Sequence, residues 1–467
     1  MTFDRSLVRI QRKFMKIIIA GMGKIGSAIA ASLVTEGHDL IAVDTSQEIL
    51  TKLSEELDIS SVCGSCTDSS VLEQAEAKDA DLLIAVTAND EVNLLCCLIA
   101  RKLGTSSTIC RVRNPEYTST IDTIRDDMGL SMVVNPEREA AEEINRIIEN
   151  PFAQNVESFM NGMAKLVSFE IPEGAPVAGC TIQQIFSKIR IPVLICAVER
   201  GQEAFIPSGS FVIESGDLVT VISRTGDLGA FLSAMGMVSG KIKDILIVGG
   251  GTTAYYLSGI LLRKKANVSI IEKDPARAQA LALEIPGADI ICADGTDYTL
   301  LKEEGIDTAD ALCCLTGIDE ENVLTTLFAR LNCPGIKTIT KINRSDIERT
   351  VRRFDLGSII SLKSMTANIV LQYVRAMQNS IGSNVITLHR ICQDRVEALE
   401  FKVSATSRVT GIPLEKLPIK DDILIACVKR GSDVFIPRGN DTIEVDDSVI
   451  IVTSLSGLDE LDDIRND

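Results

Sequence analysis

Tryptophan is absent from this 467-residue chain, aromatic residues make up only 4% of it, and histidine occurs twice. So few aromatic side chains exclude a base-stacking platform and an aromatic cage around a ligand. Imidazole chemistry has equally little to draw on, because His38 lies in a predicted helix-to-strand turn and His389 in a strand-like run. We therefore predict a surface position for His38 and a structural role for His389, not proton transfer.

Positive charge is also scarce, since the chain has 47 Lys and Arg residues but 65 Asp and Glu residues, which gives a net charge of −18. That balance excludes the basic surface of a nucleic-acid-binding protein. It suits a cytosolic protein, or one whose partner presents a basic face. No apolar run reaches the roughly 18 residues that a membrane-spanning helix needs, so any role at a membrane would depend on a partner.

Cysteine, in contrast, is plentiful, with 13 residues. Several of them lie inside apolar runs, for example Cys96, Cys97 and Cys110, and this favours buried free thiols in a reducing compartment over disulfides. Cys63 and Cys66 form a C-x-x-C pair without a second pair or a nearby histidine, so a zinc site is not predicted. A redox pair and a loop that simply carries two thiols both stay open.

The chain is organised around a strand, a glycine turn and a helix near its start. Ile17–Ile19 forms an unbroken β-branched run, as in a strand buried on both faces of a parallel sheet. Gly21, Gly23 and Gly26 follow in the G-x-G-x-x-G spacing, which permits a tight turn, close approach of a pyrophosphate and close helix packing. We expect phosphate groups to bind at the helix N-terminus, over Gly21, Met22, Gly23, Lys24 and Ile25.

An acidic residue follows the second predicted strand. Asp44 ends the run Leu40–Val43, about 18 residues after the third glycine, near the spacing expected for an acid that binds a ribose 2′-hydroxyl. Its charge disfavours a 2′-phosphate, so NAD(H), ATP or ADP fits better than NADP. The structural alternative is a plain glycine turn followed by a solvated strand-end acid.

Strands and helices go on alternating to about residue 150, which predicts an α/β fold with a doubly wound parallel sheet. In such a sheet ligands lie at the carboxyl ends of the strands. Arg111 is the predicted phosphate partner, although a solvated strand-end charge is the alternative. Ser65, Cys66, Thr87 and Ala88, which follow the third and fourth predicted strands, are further candidates for this site.

The second half of the chain repeats the first. Gly249 and Glu272 follow Gly21 and Asp44 by about 228 residues each, and segment 85–93 returns at 314–322. Short strands and turns between the copies, from about 163 to 223, predict a small α+β domain that also recurs. A second, weaker or different nucleotide site is therefore predicted at Gly249, Gly250, Gly251, Thr252, Thr253 and Glu272.

Neither predicted site is accompanied by a catalytic set. The sequence has no Ser/His/Asp ordering, no H-E-x-x-H motif and no P-loop G-K-[ST] motif. The acidic pairs Asp90–Glu91 and Asp319–Glu320 are predicted to open helices, where they cap backbone amides. A nucleotide site without catalytic residues predicts a sensor and not an enzyme.

These features resemble the TrkA family, the RCK-domain regulatory subunits of bacterial and archaeal Trk potassium-uptake systems. The glycine motif with Asp44, the segments 85–93 and 111–117, and the repeat itself carry the resemblance from Met15 onward. It implies two tandem units, each a Rossmann-like doubly wound sheet (RCK N-domain) followed by a small α+β RCK C-domain. One departure is segment 65–68, where many RCK domains have a Gly-Asp-Ala-Thr-Asp-like loop; the second half keeps a closer version at 293–297.

The resemblance also implies domains, partners and a location. We expect an N-terminal extension over 1–14, N-domains over 15–150 and 237–380, and C-domains over 151–236 and 381–467. Such proteins form a homo-oligomeric ring in the cytoplasm, peripheral to the inner face of the plasma membrane. There they bind NAD(H) or adenine nucleotides and gate potassium flux through a separate integral-membrane translocator of the Trk type.

Two other functions stay open at this point. The chain could regulate a different cation transporter, such as a potassium efflux antiporter, from which only the partner would distinguish it. It could also be an NAD-dependent oxidoreductase, although the scarce histidines and the small second domain speak against that reading.

Overall fold

A computed structural model describes residues 14–149, 153–201, 203–236, 242–344, 356–379, 385–392, 395–455 and 460–466, with residues 347, 351, 354 and 458. The predicted extension over 1–14, apart from residue 14, and the predicted domain boundaries near 150, 237 and 380 lie outside the described residues. Contacts divide the chain into two compact units. The first runs to Asn145 and again over Lys243–Leu371, and the second takes Arg146–Ile242 and Gln372–Asp467.

The first unit opens with a parallel sheet whose core strands are apolar on both faces, as the isoleucine run predicts. Ile17, Ile18 and Ile19 are at most 1% exposed. The strands are β1 Lys16–Ala20, β2 Asp39–Asp44, β3 Ser60–Cys63, β4 Leu82–Ala85, β5 Ser107–Arg111 and β6 Met132–Val134. Their order across the sheet is β3-β2-β1-β4-β5-β6, and every neighbouring pair is parallel, so the predicted doubly wound sheet is confirmed.

The helices of this first half begin at capped positions. Ser46, Asp68, Asn89 and Asn114 each accept a hydrogen bond from a backbone N–H in the first turn of the helix that follows. Asp90 and Asp319 lie at the first position of their helices, as predicted. The helices are α1 Lys24–Thr35, α2 Gln47–Leu57, α3 Ser69–Gln74, α4 Asp90–Leu103, α5 Pro115–Ile124 and α6 Pro136–Glu149.

The second half of the first unit repeats this plan. Its strands are β12 Asp244–Val248, β13 Asn267–Glu272, β14 Asp289–Cys292, β15 Ala311–Cys314, β16 Lys337–Lys341 and β17 Ser358–Ile360. They are parallel, in the order β14-β13-β12-β15-β16-β17, which matches the first sheet strand for strand. The helices are α9 Thr252–Arg263, α10 Pro275–Glu284, α11 Tyr298–Glu303, α12 Asp319–Asn332 and α13 Leu362–Asn379.

The two copies are joined directly within this unit. The phenol of Tyr256, on α9, donates a hydrogen bond to the carbonyl of Arg113 at 3.2 Å and accepts one from Asn135 Nδ2 at 2.9 Å. Lys264 Nζ donates to Asn145 Oδ1 at 3.0 Å. Elements of the second copy therefore lie against the loops that follow β5 and β6 in the first.

The second unit contains two antiparallel sheets. The first has strands β7 Ala153–Phe159, β8 Ala164–Glu170, β9 Val193–Arg200, β10 Glu203–Phe205 and β11 Leu218–Arg224, with helices α7 Ile182–Lys188 and α8 Leu228–Ala234. The second has β18 Val385–Ile391, β19 Val396–Lys402, β20 Ile423–Arg430, β21 Asp433–Phe435 and β22 Ser448–Thr453. The strand orders are β10-β9-β11-β8-β7 and β18-β19-β22-β20-β21. The predicted α+β pattern is confirmed; β7 had no sequence prediction.

One buried cluster in the second unit draws on both sheets, with Phe159, Leu166 and Ile222 from the first and Val396, Ala398 and Val452 from the second. His389 joins it: its ring meets Phe159 edge-on with centroids 4.8 Å apart, and Nδ1 lies 2.8 Å from Glu157 Oε2. These contacts agree with the structural role predicted for His389.

The prediction for His38 is wrong. This residue is 6% exposed, and its Nδ1 accepts a hydrogen bond from the Met15 amide at 3.3 Å. The turn that carries it packs against the start of β1, which a local turn pattern cannot reveal.

The cysteines are free thiols, and ten of the thirteen are buried, including Cys66 of the C-x-x-C pair. Burial raises the pKa of Cys313 and Cys314, the latter to about 12. Among the described residues there is no group of three or more side chains placed to hold a metal ion. Within the same part of the chain, no helix combines the length and apolar character that crossing a bilayer requires.

Candidate functional site

The three glycines of the first turn meet different surroundings. Gly21 has φ +95°, and a Cβ there would lie 2.7 Å from the amide nitrogen of Thr87. At Gly26 a Cβ would lie 2.0 Å from the carbonyl oxygen of Gly21, so α1 approaches the turn more closely than a side chain permits. Gly23 has nothing within 4 Å of the Cβ position. The turn therefore packs tightly at its ends and leaves open space at its middle glycine, as the phosphate-binding prediction requires.

Asp44 holds this glycine turn in place. Its Oδ2 accepts a hydrogen bond from the Met22 amide at 2.6 Å, and its Oδ1 accepts one from Ser46 at 2.9 Å. Both carboxylate oxygens thus have one backbone donor, and each keeps a lone pair for a hydroxyl group of a ligand. Sequence reasoning foresaw the acid but not its bond to the turn.

A cavity of about 700 Å³ opens at the carboxyl ends of the strands, within the size range of small-molecule sites. It is lined by every residue predicted for the first site except Met22, whose side chain is buried. Its lining comprises Gly21, Gly23, Lys24, Ile25, Val43, Asp44, Thr45, Ile49, Gly64, Ser65, Cys66, Val86, Thr87, Ala88, Asn89, Val92, Arg111, Glu137, Asn343, Leu362 and Lys363.

The ends of β4 and β5 are tied together by a buried asparagine. Asn93 Oδ1 accepts hydrogen bonds from the amide and the hydroxyl of Thr87 at 2.8 and 2.7 Å, and its Nδ2 donates to the Arg111 carbonyl at 3.0 Å. The second copy repeats the link through Asn322, which accepts from the Thr316 amide at 2.9 Å and donates to the Lys341 carbonyl at 2.9 Å. This shared polar link fixes the cavity floor behind the glycine turn.

Arg111 lies in the cavity wall with a carboxylate partner that the sequence analysis missed. Its Nη2 is 3.2 Å from Glu137 Oε1, and both side chains are nearly buried, 11% and 13% exposed. Arg111 Nε and Glu137 Oε2 are buried without a hydrogen-bond partner in the described structure. Glu137 could have been found, because it opens the helix after β6, at the same sheet edge as the predicted residues.

Arg113 lies just beyond the end of a strand of the first sheet. Strand β5 ends at Arg111. The amides of Arg113 and Asn114 donate to Asp90 Oδ2 at 3.0 and 2.9 Å, and the Arg113 guanidinium donates to the Ala88 carbonyl. Asp90 thus binds two backbone amides just beyond the end of β5.

Cys66 places a thiol in the cavity wall beside the acid of β2. A hydrogen bond from the Cys96 thiol lowers its pKa, whereas burial and the charge of Asp44 oppose that lowering. The pKa of Cys96 is raised in turn by the same hydrogen bond and by burial. Of the two thiols, Cys66 is the one that ionises first.

Three lining residues come from the second copy: Asn343, Leu362 and Lys363. Asn343 follows β16, and its side chain donates to Asp319 Oδ1 at 3.2 Å. Leu362 and Lys363 begin α13. No pattern within either copy could have predicted them, because they depend on how the copies pack.

The second glycine turn reproduces the first in its backbone. Gly249 has φ +100° and lies against Thr316, Gly251 faces open space, and Glu272 accepts from the Gly250 amide at 2.7 Å, as Asp44 does from Met22. Gly250 differs from its counterpart Met22, since a Cβ there would lie 2.4 Å from Leu281 Cδ1. Thr253 is buried, and Thr252 borders a smaller cavity of about 340 Å³ together with Arg113.

Two domain families match the chain, each in two places. The TrkA-N domain matches residues 17–136 and 245–362, and the TrkA-C domain matches residues 166–236 and 398–465. The chain belongs to the TrkA family. The resemblance inferred from the glycine motif and the repeat is therefore confirmed.

Relatives of similar length support this membership. The Trk system potassium uptake protein TrkA homolog of Archaeoglobus fulgidus is 30% identical over 450 residues, covering 96% of this TrkA-family chain and 100% of the relative. The Trk system potassium uptake protein TrkA of Haemophilus influenzae is 31% identical over 444 residues, covering 94% and 96% respectively.

Solved structures share the fold. The crystal structure of the GsuK RCK domain has a TM-score of 0.62 at 18% identity and covers 94% of this chain and 92% of its own. The GsuK channel bound to NAD has a TM-score of 0.62 at 18% identity, with 94% and 77% covered. At this identity the likeness establishes the fold of two tandem RCK units and nothing further.

Proposed function

We propose that this TrkA-family chain is a nucleotide-binding regulatory subunit that gates potassium uptake through a separate membrane translocator of the Trk type. The observation that carries the proposal is the glycine turn clamped by a strand-end acid, present twice, which in the first copy opens into the cavity around Asp44. The curated relatives named for Trk potassium uptake support the potassium role.

The proposed ligand is NAD(H), ATP or ADP. Asp44 suits an unmodified ribose, because its charge would repel a 2′-phosphate. Lys24 and the open space at Gly23 suit a diphosphate at the N-terminus of α1. The GsuK channel has been solved with NAD and with ADP, which supports both ligand classes for this fold.

The cavity suits binding better than turnover. Within the described lining there is no histidine, Asp44 accepts hydrogen bonds from two backbone amides, and Glu137 pairs with Arg111. Cys66 is the one thiol among those residues, and it lies against Cys96. We therefore propose a sensor and not an enzyme.

Regulation would follow from differential affinity. A nucleotide shifts a conformational equilibrium only by as much as it binds one arrangement better than another, and coupling of about 1–3 kcal/mol is typical. We propose that the chain acts as a homo-oligomeric ring in the cytoplasm, peripheral to the inner face of the plasma membrane. The membrane translocator would be its partner.

Calorimetric titration of the whole chain with NADH, ATP and ADP tests the sensor. Wild type should bind at least one ligand, and Asp44→Ala should weaken that binding by about tenfold or more, since it removes both the ribose partner and the clamp on the turn. Glu272→Ala, the same change in the second copy, is the matched control. Failure of wild type to bind all three ligands would overturn the proposal.

The partner is tested separately. Nucleotide-dependent co-purification with a Trk-type translocator, and altered potassium flux in vesicles containing both proteins, are the expected results. Co-purification with an efflux antiporter instead would favour the alternative transporter. Oxidation of NADH during a metabolite screen would favour an oxidoreductase.

A further inference from the structure

In each copy, the residue two positions beyond the fifth strand borders a cavity that the first residue of the other copy's glycine-turn helix also borders. Asn343, after β16, borders the first cavity together with Lys24 of α1. Arg113, after β5, borders the cavity of about 340 Å³ together with Thr252 of α9. We propose that Arg113 of the first copy binds the phosphate groups of a nucleotide held by the second glycine turn. This inference rests on the proposed nucleotide-binding function.

At this pair of positions each site has one cation, and the two cations come from different parts of the repeat. In the first site the cation is Lys24, on the site's own glycine-turn helix, and the residue from the other copy is the neutral Asn343. In the second site the helix begins with the neutral Thr252, and the residue from the other copy is Arg113. A phosphate at a helix N-terminus is stabilised by backbone amides and by a nearby cation. On this proposal Arg113 supplies to the second site the charge that Lys24 supplies to the first.

Hydrogen bonds hold the backbone of Arg113 beside the N-terminal half of α9. Its carbonyl accepts a hydrogen bond from the Tyr256 phenol at 3.2 Å, and Tyr256 lies about one helical turn after Thr252. Its amide donates to Asp90 Oδ2 at 3.0 Å, at the start of α4. The main chain of Arg113 is thus bonded to both copies, so its side chain begins from a fixed place next to the second glycine-turn helix.

The guanidinium of Arg113 keeps hydrogen-bond donors for a ligand. Among the described residues it donates to the Ala88 carbonyl, whereas its Nε lies 3.8 Å from Asp90 Oδ1, beyond hydrogen-bond distance. Asp90 Oδ1 is accordingly buried without a hydrogen-bond partner in this part of the chain. The second copy makes the equivalent bond, since Asn343 Nδ2 donates to Asp319 Oδ1 at 3.2 Å. Arg113 is 43% exposed and carries five N–H donors, so its charge is available to a phosphate.

The charges around the smaller cavity make Arg113 decisive there. It is the one cation among the described residues that border this cavity, which also include the acidic Asp90 and Glu91. Backbone amides bind Asp90 Oδ2, and Glu91 accepts a hydrogen bond from Tyr117. The first residues of α4, α5 and α9 border the cavity, so the positive ends of three helix dipoles lie beside it. Without Arg113, the charged side chains left there would only repel a phosphate.

The strand-end cation of the second copy suits the same role less well. Lys341, the counterpart of Arg111, donates from Nζ to the Leu315 carbonyl at 2.8 Å. Burial lowers the pKa of Lys341, although the charges of Glu137 and Asp319 oppose that lowering. A guanidinium, in contrast, stays protonated in any such environment and can offer two parallel donors to a phosphate. The position equivalent to Arg111 is therefore not the best phosphate partner in the second site.

Calorimetric titration of the full chain with ATP, ADP and NADH tests the inference in two backgrounds. Asp44→Ala weakens the first site, so the binding that remains reports the second site, and Glu272→Ala does the converse. Arg113→Gln should weaken binding at least about tenfold in the Asp44→Ala background, and change it less than about threefold in the Glu272→Ala background. Arg113→Lys should retain most of the affinity, because it keeps the charge. Arg263→Gln, in the exposed last turn of α9, is the matched control for loss of a positive charge.

The outcomes separate this inference from the proposed function. If wild type binds none of the ligands, the proposed function fails. If wild type binds but Asp44→Ala abolishes all binding, the inference is overturned while the first site stands. The inference is equally overturned if Arg113→Gln leaves second-site affinity unchanged, or if it weakens both sites to the same extent. Thermal unfolding identifies any variant that acts through loss of the fold; in that case retained binding by Arg113→Lys supports the role, and lost binding refutes it.

Discussion

The glycines of the first turn respond in opposite ways to the addition of one methyl group. Gly26→Ala would place a carbon 2.0 Å from the Gly21 carbonyl oxygen and 3.1 Å from its carbon. The first distance is more than about 1 Å inside the usual carbon–oxygen contact of roughly 3.3 Å. Both obstructing atoms belong to the backbone of the turn, so no side-chain rotation relieves the overlap. Either α1 or the turn must move.

The size of the effect follows from two opposing terms. Overpacking of this kind destabilises the fold by about 3 kcal/mol, at the upper end of the usual range. The higher helix propensity of alanine stabilises it by about 1 kcal/mol. The net loss is about 2 kcal/mol, which should lower the melting temperature by roughly 4–8 °C.

Gly23→Ala should affect nucleotide binding more than stability. Its backbone, with φ −69° and ψ −167°, suits any residue, and nothing lies within 4 Å of the added carbon. The loss of stability should be about 1 kcal/mol, because alanine is a poorer helix N-cap residue than glycine. The methyl group would instead occupy the space through which a diphosphate approaches the turn, so nucleotide affinity should fall at least about tenfold.

Scanning calorimetry without ligand and isothermal titration with ATP and NADH measure the two effects independently. Gly251→Ala, at the equivalent backbone position of the second turn, is the control that should leave affinity at the first site unchanged. Wild-type affinity in Gly23→Ala, or wild-type melting in Gly26→Ala, would show that the turn does not approach a phosphate in the way the geometry indicates.

Three further changes test other parts of the structure. Burial and the nearby Arg330 lower the pKa of Lys337 to about 8. The free energy of unfolding should therefore rise between about pH 8 and 10.5, because in that range only the unfolded chain keeps this proton. In a series of thermal melts, Lys337→Met should be about 1 kcal/mol more stable than wild type at pH 7 and should not show that rise. Asp217→Ala should destabilise the second unit by about 3 kcal/mol in urea titration, because buried Asp217 accepts two hydrogen bonds from Arg200 at 2.7 and 2.8 Å; an effect under about 1 kcal/mol would contradict this. Tyr256→Phe removes the two hydrogen bonds that the Tyr256 phenol makes to the first copy and should cost about 1–2 kcal/mol by the same titration. An unchanged midpoint would mean that water replaces them.

Local patterns were sufficient to predict the fold. The first strand follows from a β-branched apolar run, and the alternation of strands and helices predicted the doubly wound sheet. The glycine turn and Asp44 were predictable because both depend on residues close in sequence whose spacing is fixed by a strand and a helix. The repeat identified the second copy in the same way.

Other features required the tertiary structure. The backbone bonds beyond the end of β5 and the burial of His38 each depend on a contact with a distant segment, through Asp90 and Met15 respectively. A sequence pattern predicts which faces of a helix or strand are buried. It does not predict which distant group accepts a hydrogen bond from a backbone amide at the end of that element.

The sequence by itself determined that the chain carries two copies of one nucleotide-binding fold, because strand periodicity, glycine spacing and a strand-end acid are local constraints on the backbone. Only the tertiary structure decided what surrounds the first cavity. Arg111 meets Glu137 there, and Asn343 and Lys363 arrive from the second copy. The physical reason is that these groups come together only through the packing of segments that are distant in sequence.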